Sequence, residues 1–157
     1  ISYGDILYKR EVLEALINSP GDIVISSDLF WNEYWEQRFD DPLEDAESFV
    51  KGSGSIVKSL GQKEKNIENI EGQFIGLIKL TSKGCRELIT AYQVCKKSPS
   101  CSLNAWGSKR TLSSAYMTDL LNFLAKQGKV NFNEIERGWV EVDNLKDLEI
   151  ANKQSWV

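Results

Sequence analysis

Apolar and polar positions change period several times along the chain, and each change marks a predicted element. Leu7, Val12, Leu13, Leu16 and Ile17 recur at helical spacing and predict an amphipathic helix over residues 6–18, stopped by Ser19-Pro20-Gly21. Asp22-Ile23-Val24-Ile25-Ser26-Ser27-Asp28 is a short apolar run between turn residues, the pattern of a buried strand, and it finishes on an acid. A helix followed by such a strand is the unit from which parallel sheets are built. Trp31, Tyr34 and Trp35 then share one face of a helix within 29–39, which Asp40-Asp41-Pro42 ends. Residues 46–50 and 55–60 flank Gly52-Ser53-Gly54 and predict a β-hairpin, while the polar run 61–69 reads as a mobile, solvated loop.

The second half repeats the alternation. A strand over 72–80 leads through a Thr81 or Ser82 cap into a helix reaching about Cys95, with Leu88, Ile89 and Tyr92 inside. Lys97-Ser98-Pro99-Ser100 and Gly107-Ser108 mark 96–110 as a loop. Ser113 or Ser114 opens a helix whose stripe is Met117, Leu120, Leu121 and Leu124, ended by Gly128. Residues 130–135 lead to Gly138-Trp139-Val140-Glu141-Val142-Asp143, which alternates as a half-buried strand. Leu145, Leu148 and Ala151 then fall on one helical face. Asp143 stands where strand gives way to helix. Either Asp143 or Asn144 caps that helix, or Asp143 faces the crevice in which open α/β sheets hold ligands, outside the carboxyl ends of their strands. Asp5, after Ile1-Ser2-Tyr3-Gly4, reads in the same way as an acid at the tail of a strand, and a chain that opens inside a strand reads as part of a larger domain. The elements add up to one α/β domain over 1–157: a partial doubly wound, mostly parallel sheet with flanking helices and a hairpin insertion.

Composition narrows the chemistry. The 157 residues suffice for one domain with a real core, and 41% of them are hydrophobic. There is no histidine, which excludes histidine bases, triads and histidine-rich metal sites. The net charge of -4, without a basic stripe, argues against nucleic acid as a partner. No apolar run approaches the roughly 18 residues of a membrane span and no signal peptide is visible, so the expected location is the cytoplasm. Cys95 and Cys101 could pair, but in that compartment Cys85, Cys95 and Cys101 are expected to be reduced thiols. With carboxylates abundant and histidine absent, any metal should be a hard, oxygen-loving ion such as magnesium rather than zinc.

Several segments taken together resemble a known family. They are Tyr3-Gly4-Asp5, the 21–28 strand, Asp45-Ala46-Glu47, Gly72-Gln73-Phe74-Ile75-Gly76-Leu77-Ile78-Lys79-Leu80, Thr118-Asp119-Leu120-Leu121 and the closing 138–147 run. Their order and spacing are similar to the second part of nucleotidyltransferase (NTP transferase) domains on the cytidylyltransferase side. That side holds phosphocholine and 2-aminoethylphosphonate cytidylyltransferases and the nucleotidyltransferase domains fused to phosphoenolpyruvate mutase. The resemblance covers most of 1–95 and 111–152 and leaves 96–110 unmatched. It implies magnesium-dependent transfer of a nucleotidyl group, from CTP by preference, to a phosphate- or phosphonate-bearing acceptor with release of pyrophosphate. The family holds its metal with two acids whose positions match Asp5 and Asp143. The family's glycine-rich triphosphate loop has no counterpart in these residues, so the chain alone is expected to be inactive. The missing part, or a second copy of the chain, is expected to cover the exposed sheet edge.

The residues themselves fit this chemistry. Joining a phosphate to a nucleotide brings two anions together, and one or two carboxylates suffice to hold the ion that screens them. The acceptor is already ionised, so no histidine or cysteine base is needed. Asp28 reads as a cap or as an acceptor-facing acid. If the acceptor carries an ammonium group, aromatic faces are its natural receptor, and Trp31, Trp35, Tyr116 and Trp139 are the candidates beside the alternative that each is core. Glu47 and Glu141 read as solvent-facing, or paired with a basic residue. Two other readings remain: a sugar-1-phosphate nucleotidyltransferase, and a non-catalytic remnant that binds a nucleotide or serves assembly.

Overall fold

The computed structural model describes residues 1–156. Its centre is β2 (Ile23–Asp28), all six residues of which are buried. β2 is flanked by β5 (Gln73–Leu80), antiparallel, and by β6 (Asn131–Ile135), parallel. Isolated bridges extend both edges, Ser2 to Leu77 on one side and Ile56 to Asn131 on the other. The parallel pairing expected of a helix–strand unit is thus confined to β2 and β6 among the described ladders.

Alternation along β2 divides the core into two layers. Val24 points into a cluster with Val12, Leu16, Trp31, Tyr34, Trp35, Trp139 and Ile150. Ile23 and Ile25 point the other way, towards Phe49, Leu60, Leu120, Leu121 and Leu124. The first layer is covered by α1 (Arg10–Asn18), α2 (Trp31–Arg38) and α5 (Leu145–Asn152). The second is covered by α4 (Met117–Ala125) and by the hairpin of β3 (Glu47–Lys51) and β4 (Val57–Lys63), with α3 (Ser82–Lys97) alongside. The bounds of the hairpin and of α3 match the sequence pattern closely. Thr81 caps α3 by accepting the Gly84 N–H through its hydroxyl.

The outermost strands differ from expectation. Ile6–Tyr8 is a strand, β1, rather than the first turn of α1. It pairs antiparallel with β7 (Trp139–Glu141) in the register Ile6 to Glu141, Leu7 to Val140 and Tyr8 to Trp139. Main-chain bonds prolong that ladder at both ends, from Lys9 N–H to Gly138 O and from Val142 N–H to Asp5 O. Asp5 therefore precedes a strand instead of ending one. Because the partners run in opposite directions, the start of β1 lies beside the end of β7.

Other expectations fail where a polar group takes an apolar place. The buried face of α5 is Asp147, Ile150 and Ala151, whereas Leu145 and Leu148 are exposed. Leu7, Ile17, Ile89 and Tyr92 are exposed as well. The fourth helix starts at Met117 rather than 113 or 114, because Thr111–Ser114 closes a turn and the Asp119 carboxylate accepts the Tyr116 N–H at 2.8 Å. The run 61–69 is partly ordered as the end of β4 and a single 3-10 turn at Ile67–Asn69. Residues 96–110 coil through two further 3-10 turns. Cys95 and Cys101 are joined by a disulfide there, with Cα atoms 5.4 Å apart, in place of the two free thiols expected. Among the described residues, no helix is long and apolar enough to cross a membrane.

Candidate metal centre

The β1/β7 ladder gathers three acids. One carboxylate oxygen from each of Asp5, Glu141 and Asp143 lies within 4.8 Å of the others. Asp5 and Asp143 are exposed at or beside strand ends, and Glu141 is half-buried in β7. Helix α5 begins immediately behind them. Its cap is Asn144, whose side-chain oxygen accepts the Asp147 N–H at 3.1 Å. Asp143 is thus not needed as the cap, and its side chain is 52% exposed.

A single arginine backs the cluster. Arg38, at the end of α2, donates from Nη1 to Glu141 at 2.6 Å and from Nη2 to Asp143 at 2.7 Å. It also makes a two-pronged contact with Asp147, from Nε at 3.0 Å and Nη2 at 3.2 Å. Its guanidinium lies 5.1–5.5 Å from the ring centres of Phe39, Tyr34 and Trp35. Burial opposes its charge, but the bonds to Asp147 and the attraction of Glu141 outweigh that and hold it further above its ordinary pKa. Burial pushes the Glu141 carboxyl up, and Arg38 pulls against that shift. The sequence pattern brought out the aromatic stripe of α2 but not its arginine. The signal was present: Arg38 stands three and four residues after Trp35 and Tyr34, on the same buried face.

The other named candidates lie elsewhere. Asp28 has no exposed surface and accepts four bonds. Oδ1 takes the N–H groups of Phe30 and Arg137, and Oδ2 takes Arg137 Nη1 and Trp139 Nε1. Trp31, Trp35 and Trp139 are core residues in contact with one another or with Tyr34. Tyr116 alone is open to solvent, 58% exposed, with the Arg110 guanidinium 4.5 Å from its ring centre. Arg110 in turn pairs with Asp119 at 3.0 Å.

Tyr3 feels the charges of Asp5 and Glu141, and Glu47 those of the Arg110–Asp119 pair beside Tyr116. The Tyr3 hydroxyl is pushed up by burial and by the charges of Glu47, Asp5 and Glu141. Glu47 is pushed up by burial and Asp45, with Asp119 adding and Lys63 and Arg110 opposing. A carboxyl raised above its unfolded value holds its proton more tightly when folded. Its contribution is favourable at low pH and is lost as pH rises through the folded value. Glu47→Gln is therefore expected to raise the melting temperature at neutral pH. The gain should vanish on acidification below about pH 4, the range of an unperturbed glutamate. Equal melting temperatures at pH 7 would refute a strained Glu47.

Oxygen donors alone, three carboxylates and no nitrogen or sulfur, suit a hard divalent cation. Counting Asp5, Glu141, Asp143 and Asp147 against Arg38 gives a formal charge of four negatives plus one positive, about −3. A divalent ion would leave that group close to neutral.

The chain is 33% identical over 151 residues to the CTP:phosphoglutamine cytidylyltransferase of Campylobacter jejuni, a match spanning 96% of this chain and 57% of that protein. Two solved structures share its fold. One is a glucose-1-phosphate thymidylyltransferase from Bacillus anthracis, described as putative and solved with sucrose (TM-score 0.62, 16% identity, 96% of this chain and 51% of that one). The other is the nucleoside-diphosphate-sugar pyrophosphorylase of Vibrio cholerae (TM-score 0.55, 16% identity, 96% and 53%). No family model matches the chain. The chain spans little more than half the length of each of these relatives.

Proposed function

We propose, on the premise that this chain resembles a cytidylyltransferase along nearly its whole length, that it forms the C-terminal part of a nucleotidyltransferase domain. The reaction is transfer of a cytidylyl group from CTP to a small acceptor bearing a phosphate or phosphonate, with release of pyrophosphate. The observation that carries the reading is the convergence of Asp5 and Asp143, 138 positions apart in sequence, on one point together with Glu141.

Asp5 and Asp143 would hold a magnesium ion, and Glu141 offers a third oxygen. The ion supplies screening of the repulsion between the triphosphate and the incoming phosphate. The chain's own residues position the parts. Asp5 and Asp143 are fixed relative to one another by the main-chain bond from Val142 to Asp5 O, at 2.8 Å. The acceptor's phosphate is already ionised, so the lack of histidine costs nothing. The relative's name, phosphoglutamine, favours an acceptor that joins a phosphate to a small charged organic group. Tyr116, beside the Arg110–Asp119 pair, offers one open aromatic face to such a molecule.

Pyrophosphate release from CTP with magnesium and phosphorylated acceptors tests the reading. This chain alone should be silent, since the glycine-rich cradle that positions a triphosphate has no counterpart here. The same chain preceded by a triphosphate-binding half should turn over. Release by the chain alone would overturn the need for that cradle. Silence of the completed domain with every phosphorylated acceptor would overturn the transfer reading and leave a non-catalytic one.

A further inference from the structure

We infer that Arg38 is the positioning residue of the carboxylate cluster, fixing Glu141 and Asp143 in a cation-ready arrangement before any ion arrives. The inference rests on the metal-site reading above and deepens it. A guanidinium is a planar fork of five N–H donors, and here one fork reaches three carboxylates. An arginine placed only to hold α2 against α5 would be satisfied by its two-pronged contact with Asp147. The further reach to Glu141 and Asp143 is what ties it to the site.

The fork cannot drift. Its side chain is 1% exposed, as is that of Asp147, and Phe39, Tyr34 and Trp35 surround it. Its anchor is itself held. Asp147 Oδ2 accepts the Asp143 N–H at 3.2 Å and Asn144 Nδ2 at 2.9 Å. The main-chain carbonyl of Arg38 is also bound, by Lys146 Nζ at 2.8 Å. Asp143, by contrast, is half exposed and would sample several rotamers without a partner. Tying its Oδ2 to Arg38 leaves Oδ1 for the cation. Groups that orient the ligands of a metal typically contribute 10–100-fold to its affinity.

An ammonium carries the same charge but cannot serve three acids in this geometry, so Arg38→Lys separates positioning from charge. The probe is Mn2+, read by electron paramagnetic resonance on the intact chain, beside melting temperature. Arg38→Lys is expected to weaken Mn2+ binding by about 10–100-fold and to change the line shape of the ion still bound, because the ligand geometry is altered. Unchanged affinity and line shape in the folded fraction, with only a lower melting temperature, would make Arg38 structural and overturn the inference. Should Arg38→Lys not fold, Asp147→Asn loosens the fork from its anchor, since Nδ2 in place of Oδ1 can no longer accept from Arg38 Nε. It keeps an oxygen for Asp143 and Asn144, and it should weaken Mn2+ binding by a smaller factor with the same change of line shape. Parent-like Mn2+ binding in a folded Asp147→Asn would overturn the inference. Asp5→Asn and Asp143→Asn tell its failure from that of the metal site. If both bind Mn2+ like the parent, the metal reading falls and takes Arg38's role with it. If both lose Mn2+ while Arg38→Lys keeps it, Arg38 alone is refuted.

Discussion

Asp28→Asn is expected to destabilise the fold by about 3–5 kcal/mol, the cost of breaking a buried pair by removing one charge. At roughly 2–4 °C per kcal/mol for a chain of this size, the melting temperature should fall by about 6–20 °C. The geometry makes even this near-isosteric change severe. Both oxygens of Asp28 accept two donors, and the side chain has no exposed surface. An amide can keep one oxygen for the main-chain N–H groups of Phe30 and Arg137. Its NH2 must then face Arg137 Nη1 and the Trp139 indole N–H, donor against donors. The Arg137 side chain, 23% exposed and stacked 4.3 Å from the Tyr34 ring centre, would lose its carboxylate partner. Thermal unfolding followed by tryptophan fluorescence would measure the shift, since Trp139 reports directly on the lost bond. A variant that melts like the parent yet binds the acceptor poorly would restore Asp28 to the acceptor-facing role its place at a strand end suggested.

How much of this was legible depends on whether each contact is local. β2, the hairpin around Gly52-Ser53-Gly54 and the Thr81 cap are written in runs of a few residues, and they stand where the pattern put them. β1 could not be read that way. It is three residues long, and its partner β7 lies about 130 positions away, so the helical spacing of Val12, Leu13, Leu16 and Ile17 was carried back over Leu7. The stripe of α5 misled for a different reason. Asp147 occupies a buried position because Arg38, 109 residues earlier, compensates its charge, and periodicity alone assigns no acid to a core. The same distant arginine hid Glu141's role. Reading it as an acid paired with a basic residue was right in kind, but nothing in the local sequence named the partner. The Cys95–Cys101 pairing was open from the sequence but stood second to reduced thiols, because the approach of the two sulfurs depends on how residues 98–101 coil back on the end of α3. The two acids Asp5 and Asp143 were brought together by a resemblance, which carries three-dimensional information that spacing does not.

Asp143→Asn is expected to lower magnesium-dependent cytidylyl transfer by the completed domain about 100-fold or more. That is the scale of removing one preorganised electrostatic contact from a reacting phosphate or acyl group. Its melting temperature should stay close to the parent's. Asp143 was a candidate helix cap from sequence, and an asparagine would have preserved that role. The structure gives the cap to Asn144, so even Asp143→Ala should spare the helix and lose less than the roughly 1 kcal/mol that removal of a true cap costs. What Asp143→Ala does lose is one ion pair to Arg38 from a side chain that is half exposed. Such pairs contribute between about 0 and 1 kcal/mol, and relief of repulsion with Glu141 offsets part of it. Activity and stability should therefore separate cleanly: both variants folded, both nearly inactive, both requiring far more magnesium for whatever turnover remains. Near-normal transfer by Asp143→Asn would remove Asp143 from the metal site. A melting temperature lowered in Asp143→Ala but not in Asp143→Asn would return it to the helix as a cap.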